Sequence, residues 1–285
     1  MGRNRKDAKR VELPAMMQCA IDLKPGRANS DVYINREMDV TELVKYIEAK
    51  KAAGIHYTYF NAFMTAIGKV IFNRPKLNRF VANRHMYEHN EVSLAFVAKM
   101  TLNDTSEEIM LHLVIDPEDT IETVTDKLNK RIANLRGKSV SKKGANSAMD
   151  VLAKLPNAIR VPVFGVIKYL DRVGKLPASL SSDNIYYSSM IVSNLGSIRC
   201  GAIYHNLTNF GSCSSLATMG EIMNKPVYHE DGTVEMRKFC EFGITLDERI
   251  GDGFYFSKSC RLIEYILLHP ELLEERADTI ITADI

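Results

Sequence analysis

The sequence predicts an α+β protein, a single domain in which a mixed sheet is backed by helices. Two stretches in the first third repeat apolar residues at helical spacing between clear start and stop signals. The last third is a series of β-like runs closed by an apolar helical stretch. Strands and helices do not alternate as a doubly wound sheet requires, and no G-x-G-x-x-G or P-loop pattern is present.

Residues 1–10 carry Arg3, Arg5, Lys6, Lys9 and Arg10 and read as a solvated, partly frayed basic tail; residues 1–30 are taken as tail and lead-in, and 31–285 as the domain. "DVYINREMDV" alternates in character and predicts a half-buried strand. "DVTELVKYIEAKKAAG" predicts a helix capped at Asp39 or Thr41, apolar at Leu43, Val44 and Ile47, and ended by Gly54. In "TYFNAFMTAIGKVIFNRP" a wide stripe of Phe60, Phe63, Met64, Ile67, Val70 and Ile71 marks a core helix stopped at Pro75. "EVSLAFVAKM" and "EEIMLHLVI" read as strands joined by the polar turn "TLNDTS". An amphipathic helix, "TIETVTDKLNKRIANLR", is followed by a basic loop, "GKSVSKKGANS", and then by short helices broken at Pro156 and Pro162. "IYYSSMIVSNLGS", "SCSSLATMGEI" and "VEMRKFCEFGITL" are strand-like, and "GFYFSKSCRLIEYILLHPELLEE" is the closing helix. Its apolar Phe254, Phe256, Ile263 and Ile266 are expected to need a partner surface.

The 285 residues are 46% hydrophobic and 25% charged, with a net charge of +2, the totals of an ordinary globular chain. No global field attracts nucleic acid, so no nucleic-acid partner is expected. The cysteines Cys19, Cys200, Cys213, Cys240 and Cys260 are odd in number and widely spaced, without C-x-x-C, H-E-x-x-H or a Cys/His cluster, so neither a metal nor a disulfide framework is expected. No apolar run approaches a membrane span, no apolar h-region follows the basic start, and Lys6 stands where a myristoylation signal needs Ser or Thr. A cytoplasmic protein with reduced thiols and no membrane partner is the expectation.

Three segments together resemble the trimeric acyltransferase superfamily of chloramphenicol acetyltransferase and the catalytic domains of 2-oxo acid dehydrogenase acyltransferases. The first runs from "MDVTELVKYIEAKK" to Pro75-Lys76-Leu77-Asn78, similar to the family's "PxLN" exit. The second holds "SNLGS", Ser193 to Ser197, which matches the family's serine motif. The third, "TLDERIGDG", matches the family's D-H-R-x-x-D-G box except that Glu248 replaces the histidine. The resemblance spans about Val32 to Glu274. It implies a chloramphenicol acetyltransferase-like fold, a homotrimer with active-site channels between subunits, and a coenzyme A thioester as co-substrate delivering its acyl group to a small-molecule hydroxyl or amine acceptor. With the domain starting near the first residue, no lipoyl attachment domain is expected, and a stand-alone enzyme fits better than the core of a large complex.

Acyl transfer needs a base for the acceptor's proton and a donor for the tetrahedral oxyanion. By resemblance Glu248 holds the base position and Ser193 the oxyanion donor, with Asn194, Arg249, Asp252 and Gly253 in support; Asp252 is implied to pair with an arginine and fix the loop. A strand serine bonded to nearby backbone is the plain alternative for Ser193. As a base, a free carboxyl near pKa 4.3 gives up about 2 units, or about 3 kcal/mol, to an imidazole near 6.5, which burial in an apolar channel can restore. Glu248 is either a displaced base or a relic. His205, in "IYHNLTNFG", is the histidine that stands in for it if any does, and a surface residue otherwise. Cys200 and Cys213, in the same region, read as buried and inert. A pseudoenzyme acting as a trimeric scaffold or acyl-CoA binder, and a thioester hydrolase using Glu248 on water, are the alternatives.

Overall fold

The computed structural model describes residues 5–99, 108–137, 151–181 and 184–282. The polar turn at 101–106 and the basic stretch from 138 to 147 lie outside them. The centre of the molecule is a six-stranded sheet in the order β2-β9-β8-β7-β5-β6. Its strands are β2 (Asp31–Asp39), β5 (Val92–Lys99), β6 (Glu108–Ile115), β7 (Met190–Asn194), β8 (Ser215–Tyr228) and β9 (Val234–Asp247). The short β7 runs parallel to both neighbours, and every other pairing in this sheet is antiparallel.

One face of the sheet carries the helices α2 (Thr41–Ala52), α3 (Tyr59–Asn73), α4 (Ile121–Gly137) and α6 (Gly253–Leu268). Helix α3 starts at Thr58, whose hydroxyl accepts the Asn61 N–H at 3.1 Å. It is buried from Asn61 to Ile71, which explains a stripe too wide for a surface helix. Lys69 lies in this buried stretch and its ammonium donates to the Glu275 and Arg276 carbonyls, fastening the C-terminal turn. Alternate residues of the strands feed this core: Met190 and Val192 from β7, Ala217 and Met219 from β8, Phe242, Ile244 and Leu246 from β9. Phe256, Ile263 and Ile266 of α6 join it as well, so three members of the stripe expected to need a partner are satisfied within the chain, and Phe254 alone is exposed.

Four elements have no counterpart in the sequence reading. Helix α1 (Ala15–Leu23) precedes β2. A second sheet, β1-β4-β3, is built from β1 (Ala8–Arg10), β3 (Arg79–Ala82) and β4 (His85–His89). The segment read as a frayed tail is therefore ordered from Arg5: Ala8 faces His89 in the ladder, and the Arg5 guanidinium lies over Phe80 and donates to the Asp171 carbonyl at 2.9 Å. Asn83 and Arg84, with φ of 47° and 61°, make the two-residue turn of the β3–β4 hairpin. Pro156 begins helix α5 (Asn157–Arg172), but Pro162 does not break it. Ala158 and Pro162 are both exposed, so the carbonyl that loses its helical donor lies where water reaches it.

His89 ties β4 to the segment that leads into β8, its ring packed 4.6 Å from Phe80 and its Nε2 3.4 Å from the Ser212 carbonyl. Burial, with Arg5 and Arg27 nearby, pushes its pKa down to about 4. The neutral ring thus favours the folded state above pH 6.5, and that contribution is lost as pH falls from about 6.5 to about 4. Because the residue keeps some exposed surface, the expected loss is roughly 1–3 kcal/mol. Urea unfolding of wild type and His89→Gln across that range should show the wild type alone losing this amount.

Candidate functional site

The second face of the main sheet is crossed by the chain after β7. Ser193, Thr218 and Gly243 share one row across β7, β8 and β9, on the face away from the helices. Thr218 Oγ1 accepts the Ile203 N–H at 3.1 Å and donates to the Ile203 carbonyl. Glu241 accepts the Ala202 N–H at 3.3 Å. Gly243 is required by space: a Cβ there would lie 2.5 Å from the Ile203 oxygen. The crossing ends at the sheet edge, where Asp31 takes the Leu207 N–H at 3.3 Å and Asn209 takes that of Arg27 at 2.6 Å.

Ser193 is next to last in β7, partly buried, and its hydroxyl has no hydrogen-bond partner among the described residues. Asn194 organises the turn that follows: its Oδ1 accepts the Ser197 N–H at 3.3 Å and its carbonyl the Ser197 hydroxyl at 2.9 Å. Gly196 keeps this turn on β8, since a Cβ would meet the Gly220 oxygen at 2.6 Å. His205 sits on the crossing with its side chain exposed. Cys200 is exposed, against the expectation of burial, whereas burial of Cys213 pushes its thiol pKa up.

Glu248 occupies a turn held from several sides. Its N–H donates to the Ser30 carbonyl at 2.8 Å. Asp247, with no exposed surface, grips Arg249 through Nε at 2.8 Å and Nη2 at 2.7 Å, and Arg27 Nε approaches it at 3.8 Å. Arg249 also donates to the Lys24 carbonyl at 3.0 Å, at the end of α1. The Glu248 side chain is 48% exposed and pairs with the Lys24 ammonium. In the single chain it is not enclosed in an apolar channel. Among the described residues Asp252 does not pair with an arginine; it caps α6, accepting the Tyr255 N–H at 2.7 Å. At Gly253 a Cβ would meet nothing within 4 Å, so space does not require glycine.

The serine and the carboxylate do not meet within one chain. Gly243 is in register with Ser193, and Glu248 lies beyond the end of β9. The five residues from Gly243 to Glu248 and two strand spacings put their backbones on the order of 15–20 Å apart. A cavity of about 350 Å³ opens beside the Glu248 turn, lined by Arg27, Arg84, Asp171, Arg172, Asn209 and Arg249 among others, and it includes neither Ser193 nor Glu248. Any shared site therefore needs a second copy of the chain. The buried Arg27–Asp247–Arg249 group and helix α1 behind the turn were not anticipated from the sequence; the D-x-R spacing was the one available signal for the former.

This architecture is the chloramphenicol acetyltransferase-like fold, also that of 2-oxo acid dehydrogenase acyltransferase catalytic domains. The chain is similar to a probable dihydrolipoamide acetyltransferase from Listeria monocytogenes, with 17% identity over 91% of this chain and 94% of that one and a TM-score of 0.57. It is similar to the dihydrolipoamide acetyltransferase of Azotobacter vinelandii at 16% identity, 93% of each chain and a TM-score of 0.54. A chloramphenicol acetyltransferase matches at 12% identity over 91% of this chain and 99% of that one, with a TM-score of 0.54. No family model matches the sequence, and no curated protein does.

Proposed function

We propose that the protein is an acyltransferase that moves an acyl group from a coenzyme A thioester to a small hydroxyl or amine acceptor, in a channel between subunits of a homotrimer. The reading is supported by the solved neighbours, described as acetyltransferases, and by one observation above all. The Ser193 hydroxyl, without a hydrogen-bond partner among the described residues, and the exposed Glu248 carboxylate on its held turn stand too far apart to act within one chain. Ser193 of one subunit would donate to the oxyanion, and Glu248 of the next would take the acceptor's proton. Asp247 and Arg249 would hold the base-bearing turn, Asn194 the serine's turn, and Asp252 the start of α6. His205, exposed on the crossing, is the reserve base. The Lys24–Glu248 pair is exposed on both sides and worth at most about 1 kcal/mol, so an incoming acceptor can displace it.

That same pair favours a second reading. While the ammonium occupies it, this carboxylate is not offered to an acceptor, and a trimer that binds acyl-CoA without turning it over would keep this contact. A thiol-release screen of several acyl-CoAs against pooled alcohols and amines separates the two. Acceptor-dependent release of free CoA that Ser193→Ala abolishes is the expected result. Acyl-CoA binding without release would establish the inactive binder.

A further inference from the structure

Helix α5 is built the wrong way round for a helix of a water-facing surface. Of its sixteen residues only Ile167 and Asp171 are buried. Its outward stripe, at helical spacing, is Ala158, Pro162, Gly165 and Tyr169, all exposed and none charged. Ile159 at 53% exposure and Val166 at 58% widen the stripe on one side, Val161 at 68% on the other. The charges around it have one sign. From Val151 to Lys175 the ionised residues are Lys154, Arg160, Lys168, Arg172, Lys175 and a single acid, Asp171. That acid is turned inward, accepting the Tyr187 hydroxyl at 2.6 Å and the Gly211 N–H at 3.0 Å.

We infer that α5 is an interfacial anchor that lays its apolar stripe into the surface of an anionic phospholipid membrane, with Lys168 and Arg172 on the headgroups. The stripe from Ala158 to Tyr169 is about 18 Å long, and such helices sink about 5–10 Å to the level of the acyl boundary. No helix among the described residues is long and apolar enough to cross a membrane, so the contact is with one leaflet. The sequence expectation of no membrane partner rests on the lack of a span, a signal-peptide core and a myristoylation signal, none of which concerns an interfacial helix. A second copy of the chain is the poorer occupant. Pairing α5 with itself opposes like charges. A second exposed apolar patch among the described residues, Tyr228, Val234 and Met236 at the β8–β9 tip, has charges that cancel, with Glu230, Asp231 and Glu235 against Lys225, Arg237 and Lys238. This inference does not rest on the acyltransferase reading.

The test is co-sedimentation of the full chain with vesicles of phosphatidylcholine, alone or with phosphatidylglycerol at roughly seven parts to three. Binding to the anionic vesicles at least about tenfold stronger than to the neutral ones is expected, weakening with salt. Lys168→Ser should weaken it about fivefold. The double variant Val166→Asp/Tyr169→Asp should abolish it while light scattering shows an unchanged oligomer. No binding by the wild type, or binding that survives the double variant, overturns the inference. A double variant that falls to a smaller species, with a wild type indifferent to vesicles, would assign α5 to a contact between copies instead.

Discussion

Glu248→Gln should lower acceptor-dependent CoA release by about 10²–10⁴-fold, the range general-base catalysis supplies, while leaving the unfolding midpoint in place. The amide keeps the shape of the side chain but cannot take the acceptor's proton. Stability should hold because the carboxylate is 48% exposed and its ion pair with Lys24 lies at the surface, where such pairs contribute little. Glu248→His, which restores the residue of the D-H-R-x-x-D-G box, should retain activity, since Ser30, Asp247 and Arg249 would still fix the backbone beneath it. Steady-state rates with a fixed acyl-CoA check both. An unchanged rate in Glu248→Gln, together with a dead His205→Ala, would move the base to the crossing segment.

Asp247→Asn should have the opposite profile, a large loss of stability from a residue that touches no substrate. Asp247 is fully buried between Arg249, bound through two nitrogens, and Arg27. Neutralising it leaves two buried guanidinium groups without their counter-charge, a change worth about 3–5 kcal/mol. In a domain of this size that is a fall in Tm on the order of 10 °C. Asp252→Ala is the useful contrast: it removes only a helix cap and should cost about 1 kcal/mol. Thermal or urea unfolding of the pair decides the point. Equal losses would mean that the buried charge cluster does not hold the turn.

The strands and core helices were legible because their residues follow one periodicity and few exceptions. Thr58 and Pro75 bracket α3, and β9 alternates from Phe242 to Leu246 between the two sides of the sheet. The second sheet was not legible, since β1 is three residues long and its partner hairpin turns on Asn-Arg instead of a glycine. Arg84 adopts φ of 61° although nothing in its side chain favours it. Pro162 misled for a related reason: a helix tolerates an interior proline more readily where the carbonyl it orphans can be solvated, and that depends on tertiary exposure. The stripe of Phe256, Ile263 and Ile266 looked like an interface because nothing local says which apolar face the sheet covers. At the site, the residues of "SNLGS" and "TLDERIGDG" could be named from the sequence. Their separation could not be, because it depends on the register of β7, β8 and β9.

That separation carries the central claim, a site shared between copies, and complementation tests it most directly. Ser193→Ala and Glu248→Gln chains, each inactive alone, are co-expressed and the mixed oligomers assayed for CoA release. If each site takes its serine from one subunit and its carboxylate from the next, every mixed trimer holds one intact site, and random mixing should restore about a quarter of wild-type activity. Activity no higher than that of either variant alone, in oligomers proven to be mixed, would contradict the account.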